Sequence, residues 1–342
     1  MKIMMCPDSG NLYLNLLTQN LKREGVKIKD IPWFGKQSPY SLLQFLEGNL
    51  KGFNILHLHW MPFNRFFMMK FVRKLSNSLN VKIVWTIHNL IPHIPRYGSI
   101  EKDVEAMKYM ATWASAGIVH CEQTKKDFYE HYGLDLPLFV IPHGNFNEYA
   151  KIKASDESRR RLGISADKTV LLMLPPNRWT KGIKTFIEVI KKLPDDYVGL
   201  LAGICENPAI RKYIENESRN NPHKFLTRLD YIPNEEVGYY FAASDIFFMP
   251  YERITTSGSI INAMAYKKPI ISTPQGDIYT LVENGVNGYL CNTAEEMIEK
   301  IKSIGRETAE KMGGKSYEIA ERFDWRDIAK QTLRIYQKVM EK

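Results

Sequence analysis

Residues 170–190, VLLMLPPNRWTKGIKTFIEVI, decide the fold. Val170–Leu174 is a short apolar run that reads as a buried strand, and Pro175 and Pro176 end it. From Ile183 the pattern changes: Ile183, Phe186, Ile187 and Ile190 form one face of a helix. Strand, loop and helix in this order make half of a βαβ unit. In a parallel sheet such a loop lies at the carboxyl end of its strand, where ligands bind. This one carries Arg178 and Lys181. Two fixed cations beside the free N–H groups of a helix start suit a diphosphate. The plain alternative is two solvated charges in a polar loop; the strand–loop–helix context favours the site.

The same alternation runs outward in both directions. Met1–Cys6, Ile55–His59, Lys82–Ile87, Ile118–His120 and Phe139–Ile141 read as strands in the first half. Helical patterns lie between them: Leu12, Leu16, Leu17 and Leu21 up to Gly25, then Phe63–Leu79 and Glu101–Ala116. In the second half Tyr197–Ala202, Lys224–Leu229, Ile246–Met249 and Pro269–Ser272 read as strands. Glu235–Ala243, Ser259–Tyr266, Met297–Ile304 and Trp325–Met340 read as helices. The class is therefore α/β with parallel sheets. At about 100–200 residues per domain, 342 residues make two domains. The break falls in the polar stretch 146–168, which places one domain at 1–155, a second at 156–324 and a terminal helix at 325–342. The SRRR run within that stretch reads as a solvated helix face.

Composition narrows the class of partner. The chain is 44% hydrophobic and 25% charged, which excludes wholesale disorder. Its net charge of +9, from 47 basic and 38 acidic residues, favours anionic partners without choosing among them. Cys6, Cys121, Cys205 and Cys291 are far apart, so buried thiols in a reducing compartment are expected rather than a disulfide framework or a zinc site. The first residues carry no apolar run of signal-peptide length, and no stretch approaches the ~20 residues of a membrane span. A soluble cytoplasmic protein, at most peripheral to a membrane, is expected.

Two further strand ends carry candidate chemistry. In MPYERITTSGSIINAMAYKKPII (249–271), Thr255, Thr256, Ser257 and Gly258 precede a helix. Hydroxyls there cap the helix, and Gly258 lets a ligand approach the backbone. In WTIHN, His88 follows a strand and either meets a sugar hydroxyl or a proton, or hydrogen-bonds a loop structurally. His57 and His59 share one strand face, without a third metal ligand at suitable spacing, so core or cleft-lining roles fit them better. His143 sits beside Gly144 at another strand end, in a substrate-facing loop or a simple turn. No metal site and no cofactor are expected. Residues 48–100 contain seven basic residues and no acid. Within them FNRFFMMKFVRKL (63–75) combines Arg65, Lys70, Arg73 and Lys74 with a broad apolar sector, a pattern that suits an anionic membrane surface. The alternative is an ordinary helix, buried on one side and solvated on the other.

Taken in order, these pieces resemble the nucleotide-sugar glycosyltransferases of the two-Rossmann-domain (GT-B) type, in particular bacterial polysaccharide transferases of the glycogen-synthase-like group. NRWTKGIKTFIEVI (177–190) resembles their Arg…Lys-Gly segment, FAASDIFFMPY (241–251) the strand-and-proline element, and NAMAYKKPIIST (262–273) and LVENGVNGYLC (281–291) the segments that follow. FDWRDIAKQTLRIY (323–336) resembles the helix that crosses back to the first domain. The resemblance implies two Rossmann-like domains facing across a cleft, with the donor on 170–290 and the acceptor on 1–145. It implies metal-independent transfer from a UDP- or GDP-sugar to a saccharide acceptor, lipid-linked, at the inner face of the cell membrane, in glycan synthesis, with no role for nucleic acid. Arg178, Lys181, residues 255–258, Glu252 and Asn262 would hold the donor; His59, Trp60 and His143 would face the acceptor. His88, with Asp8 as alternative, would be the catalytic group.

The sequence departs from the family in one place that matters. The family's acidic motif has two glutamates where this chain has Ile254 and Asn262, with Glu252 nearby but displaced, and TTSG replaces a glycine-rich loop. A non-catalytic two-lobed binding protein for a nucleotide sugar or another small ligand is the alternative reading. A dehydrogenase is not, since no G-x-G-x-x-G follows any strand.

Overall fold

The computed structural model describes residues 1–7, 10–31, 52–61, 66–91 and 97–341. The chain divides into two compact units, Met1–Gly144 with Phe323–Lys342, and Asn145–Arg322. The first unit thus ends short of position 155. The polar stretch beyond it forms the helix Ser155–Leu162, which packs against the helix Asn234–Ala243 of the second unit.

In the first unit, β1 (Lys2–Cys6), β2 (Lys27–Asp30), β3 (Ile55–His59), β4 (Lys82–Thr86), β5 (Ala116–Val119) and β6 (Leu138–Val140) form a parallel sheet ordered β2-β1-β3-β4-β5-β6. In the second, β7 (Thr169–Met173), β8 (Tyr197–Ala202), β9 (Phe225–Arg228), β10 (Ile246–Met249), β11 (Ile270–Ser272) and β12 (Gly288–Leu290) run in the order β12-β11-β10-β7-β8-β9, again parallel. The central strands are buried and mostly apolar: Leu171, Leu172, Phe247 and Phe248 are wholly buried, while β3 also buries His57 and His59. The α/β class read from the sequence is the observed one.

Strand order locates the ligand end. In the second unit the chain runs outward from β7 through β8 to β9, then restarts on the other side of β7 with β10. The loops after β7 and β10 therefore diverge at a topological switch point, where α/β sheets leave a crevice. They are the loops of Arg178 and Lys181 and of Thr255–Gly258. The equivalent point in the first unit lies between β1 and β3.

Most differences from the sequence reading have simple causes. β2, KIKD, is an edge strand with no buried residue, so it carries little apolar signal. The helix Glu122–Tyr132 buries only Thr124, Phe128 and Tyr132, and Arg306–Glu321 buries mostly Ala, Gly and Ser, so neither shows a strong period. The SRRR run is not a purely solvated face. Arg159 is buried and donates to the carbonyls of Ser165 and Lys168 and, at 2.7 Å, to Asp245 Oδ2, which also accepts the Val170 N–H. That guanidinium ties the start of β7 to the start of β10. Among the described residues no helix is long and apolar enough to cross a membrane.

Candidate active site

Three loops of the second unit are stitched together at the switch point. Gly182 has φ +76°, and a Cβ on it would stand 1.7 Å from the Pro250 carbonyl oxygen. Only glycine lets the β7 loop meet the β10 loop there. The Thr180 carbonyl accepts the N–H groups of Glu252 and Arg253 at 2.9 and 3.3 Å. The loop after β11 closes on the other side. Asp277 N–H donates to the Thr255 carbonyl at 3.0 Å, and Thr273 Oγ1 donates to the Tyr251 carbonyl at 2.6 Å.

Within this frame lies a helix start with spare donors. Ser257 caps the helix Gly258–Ala265: its Oγ accepts the Ile260 N–H and lies 2.8 Å from the Tyr251 hydroxyl. Its own N–H donates to Asp277 Oδ1 at 3.1 Å. The N–H groups of Gly258 and Ser259 have no partner among the described residues. The Thr256 Oγ1 and Asn177 Oδ1 atoms are buried and also without a partner there.

Lys181 is buried, and its ammonium donates to the Pro175 carbonyl at 3.0 Å. Burial, with Arg178 beside it, pulls its pKa down to about 7. Burial also holds the half-buried Arg178 guanidinium below its usual range. Neither cation pairs with a carboxylate among the described residues. Asp277 is buried with no cation bonded to it, and burial pushes its pKa up to about 7. Cations kept without counter-charge, beside spare N–H groups, make an anion site.

The remaining donor-side candidates fall around it. Thr255 is half-buried in the β10 loop. Glu252 is exposed and joins the frame through its backbone N–H. Ile254 lies in the same loop, and Asn262 is half-buried one turn into the helix. The sequence reading missed Tyr251 and Asp277. Nothing in their local sequence marks them, because only the fold brings their loops to Ser257.

The first unit presents a row of imidazoles. β3, β4, β5 and β6 lie side by side, and each is followed or ended by a histidine: His59, His88, His120 and His143. Neighbouring rings are 5.5, 5.1 and 5.6 Å apart along the row. Tyr13, from the helix after β1, touches all four rings. Trp325 packs on Gly144, where a Cβ would stand 2.2 Å from the indole, and its ring meets Tyr13. Trp60, at φ +55°, stacks on His88 at 4.2 Å and receives the Trp85 indole N–H on its carbonyl. His57 lies behind the row, between the hydroxyls of Tyr336 and Thr86 at 2.6 and 2.7 Å. Hydroxyls both donate and accept, so neutral His57 is fully satisfied.

His59, His88 and His120 are different. His59 Nε2 meets Met5 Sδ at 3.0 Å and His59 Nδ1 meets His88 Nε2 at 3.2 Å. His88 Nδ1 meets His120 Nε2 at 3.3 Å, and His120 Nδ1 meets the Ile141 carbonyl at 2.9 Å. Four contacts need four protons, and three neutral rings hold three. The carbonyl cannot donate, so His120 carries its proton on Nδ1, and the shortage is cheapest at the thioether. One added proton would fill every contact, a gain of about 1.5–3 kcal/mol. An unpaired charge buried there costs several kcal/mol, so burial wins and the rings stay neutral. Burial and mutual repulsion put His59 and His88 well below the ordinary histidine range. His57, His120 and His143 fall to about 3, 4 and 3, chiefly through burial. Both ring nitrogens of His88 are thus engaged by other imidazoles, which leaves it no lone pair aimed at a substrate. His143 donates from Nδ1 to the Gly144 carbonyl at 2.7 Å. Asp8 lies outside the described residues.

Among the described residues the basic helix spans Phe66–Ser78; positions 63–65 of the expected 63–79 lie outside them. Its apolar sector is largely used internally: Met68, Met69 and Val72 are buried, and Phe66, Phe71 and Leu75 pack against the core. Phe67 is 50% exposed, and Lys70 and Lys74 are exposed beside it. Arg73 lies over the Tyr109 ring at 5.4 Å. Arg65 and Phe63 lie outside the described residues.

Comparison with known proteins agrees with this architecture. Residues 6–144 match the family model Glycosyltransferase Family 4, and 168–306 match Glycosyl transferases group 1. The chain is 23% identical over 281 residues to the alpha-monoglucosyldiacylglycerol synthase of Acholeplasma laidlawii, covering 76% of this chain and 68% of that one. It is 27% identical over 253 residues to a probable sucrose-phosphate synthase of Thermosipho melanesiensis, covering 69% of this chain and 57% of the relative. Among solved structures, the sucrose-phosphate synthase of Thermosynechococcus elongatus superposes with a TM-score of 0.78 at 18% identity, over 100% of this chain and 99% of that chain. HepE of Anabaena, solved with UDP and glucose, gives 0.75 at 18% identity over 99% and 100% of the two chains.

The histidine row makes the first unit sensitive to acid. The unfolded chain takes up protons near pH 6.5 that the folded unit refuses until far lower pH. Stability is therefore complete above about pH 6.5 and falls as pH drops, by about 1.4 kcal/mol per pH unit for each such histidine. Thermal unfolding at pH 7.5, 6 and 5 should show a steep loss for the first unit. A melting temperature flat across that window would contradict a buried neutral row.

Proposed function

This chain belongs to the nucleotide-sugar glycosyltransferases built from two Rossmann-like domains, and from that premise we propose that it moves a sugar from a nucleotide-diphosphate donor to a saccharide acceptor. The donor is a UDP- or GDP-sugar held on the second unit. Arg178 and Lys181, unneutralised beside the spare N–H groups of Gly258 and Ser259, carry this reading. As the bond from the sugar to the diphosphate breaks, the leaving oxygen gains negative charge. Fixed cations and helix N–H groups aimed there stabilise that charge without reorganising, and the work needs no metal ion. The acceptor oxygen bonds to the sugar carbon, and its proton passes to the leaving diphosphate oxygen or through water to solvent. Ile254 and Asn262 stand where the family has its two glutamates, and Thr255, Thr256 and Asn262 line the donor side.

On the first unit Trp60, His88 and His143 supply the acceptor side, while His59, wholly buried with both ring nitrogens engaged, stands behind them as support. The engagement of both His88 nitrogens favours a positioning role for it over that of base. The acceptor is lipid-linked, as the name of the diacylglycerol relative supports for that relative. Phe67, Lys70 and Lys74 hold the protein reversibly on the inner, anionic face of the cell membrane.

Three outcomes follow from this reading. Arg178→Ala or Lys181→Ala should slow transfer about 10²-fold with the fold intact, and an unchanged turnover in the double variant would remove the donor site. His88→Ala should impair transfer while leaving donor hydrolysis measurable; full transfer activity would show that the row only builds the fold. Wild-type protein should co-sediment with anionic but not zwitterionic vesicles, less so in salt. The pair Lys70→Gln and Lys74→Gln should weaken this roughly tenfold or more. Indifference to anionic vesicles at low salt would instead point to a soluble acceptor.

A further inference from the structure

Asp277 is an acid at a helix start, where the dipole favours it, but it is buried and no cation pairs with it among the described residues. Its Oδ1 accepts the Ser257 N–H at the mouth of the helix Gly258–Ala265, the same helix start whose next two N–H groups are spare. Its side chain is buried, and the turn that carries it cannot swing away. Gly276 before it has φ +54°, and a Cβ there would stand 2.4 Å from the Thr255 carbonyl. The groups around Asp277 are Ser257, the Tyr251 hydroxyl behind Ser257 and, across Tyr251, Arg178. Lys181 lies beside Arg178. Among the described residues none of these cations forms an ion pair with Asp277. A carboxylate and a nucleotide diphosphate at one helix start repel each other in a low-dielectric site, and one of them must lose charge.

We propose that Asp277 makes donor binding proton-linked: the nucleotide diphosphate binds to the form in which the Asp277 carboxyl is protonated. This rests on the donor reading above. On binding, the carboxylate takes a proton from solvent and forms an O–H bond. The other oxygen still accepts the Ser257 N–H, so the loop keeps its shape. Burial already raises the Asp277 pKa to about 7 in the free protein, so little further shift is required near neutral pH. Asp277 is thus a positioning residue whose charge state sets affinity for the leaving group, and it tightens the grip on the donor as pH falls.

The test is UDP binding to the whole protein by calorimetry, in buffers of different ionisation enthalpy, from pH 6 to 8.5. At pH 8 the wild type should take up close to one proton more than Asp277→Asn, which keeps the acceptor oxygen for Ser257. Protons taken up by UDP itself are common to both proteins and cancel, and a carboxyl band in the infrared separates uptake by Asp277 from uptake by Lys181. Above pH 7 wild-type affinity should fall with pH more steeply than that of the variant, by up to about tenfold per pH unit. As a check that needs no variant, the infrared difference spectrum on adding UDP at pH 8 should gain a protonated-carboxyl band. Equal proton uptake and parallel pH profiles, or no such band, would overturn the role of Asp277 and leave the donor site standing. Failure of UDP, GDP and ADP alike to bind either protein would overturn both.

Discussion

The contact of Gly182 with the Pro250 carbonyl holds the second unit's site in place. A strand order that places β10 against β7 brings two loops together at their carboxyl ends, but the order alone does not make them touch. The missing side chain at Gly182 lets the backbones close, and Thr180 then collects two N–H groups from the β10 loop. The turn at Gly276 repeats the device from the other side, against the carbonyls of Ile254 and Thr255. Three loops become one rigid body. Rigidity matters because charge stabilisation by a site counts only when its dipoles need not reorganise.

The two units handle buried polarity in opposite ways. The first gathers five histidines and keeps them neutral by removing water and offering aromatic neighbours. The second sets Arg178 and Lys181 side by side without a carboxylate partner among the described residues, and burial with that neighbour pulls Lys181 down to about 7, so an arriving anion would favour its charged form. The neutral rings spend their nitrogens on one another, on Met5 and on the Ile141 carbonyl, so the row is a self-satisfied wall rather than a set of free donors. A row of free charge would bind water or phosphate instead.

Much of this was legible in the sequence, for physical reasons. Buried parallel strands must be apolar runs, so Val170–Leu174 and Ile246–Met249 announced themselves. The loops of Arg178 and Thr255–Gly258 followed from the rule that ligands meet strand ends. β2 and the helix Arg306–Glu321 escaped because they bury little apolar surface. The histidine row was half visible: LHLH59, WTIH88, IVH120 and IPH143 each place a histidine at a strand end. Reading it needed the knowledge that β3 to β6 are neighbours in that order, which residues some thirty apart do not disclose. Asp277 and Tyr251 were invisible for the same reason. The breadth of the basic helix was overread, since Phe66, Phe71 and Leu75 serve the core.

A site made from fixed, unneutralised cations has a further consequence. Arg178 and Lys181 are set against the charge of a leaving diphosphate, and the free nucleotide left after transfer carries that charge in full. Among the described residues the Lys181 side chain donates to a single carbonyl, that of Pro175, so a bound anion would add a partner and favour its charged form. On the proposed reaction the spent nucleotide would therefore compete with fresh donor for the same cations, and the pace of the cycle would depend on how quickly it is cleared from around the protein.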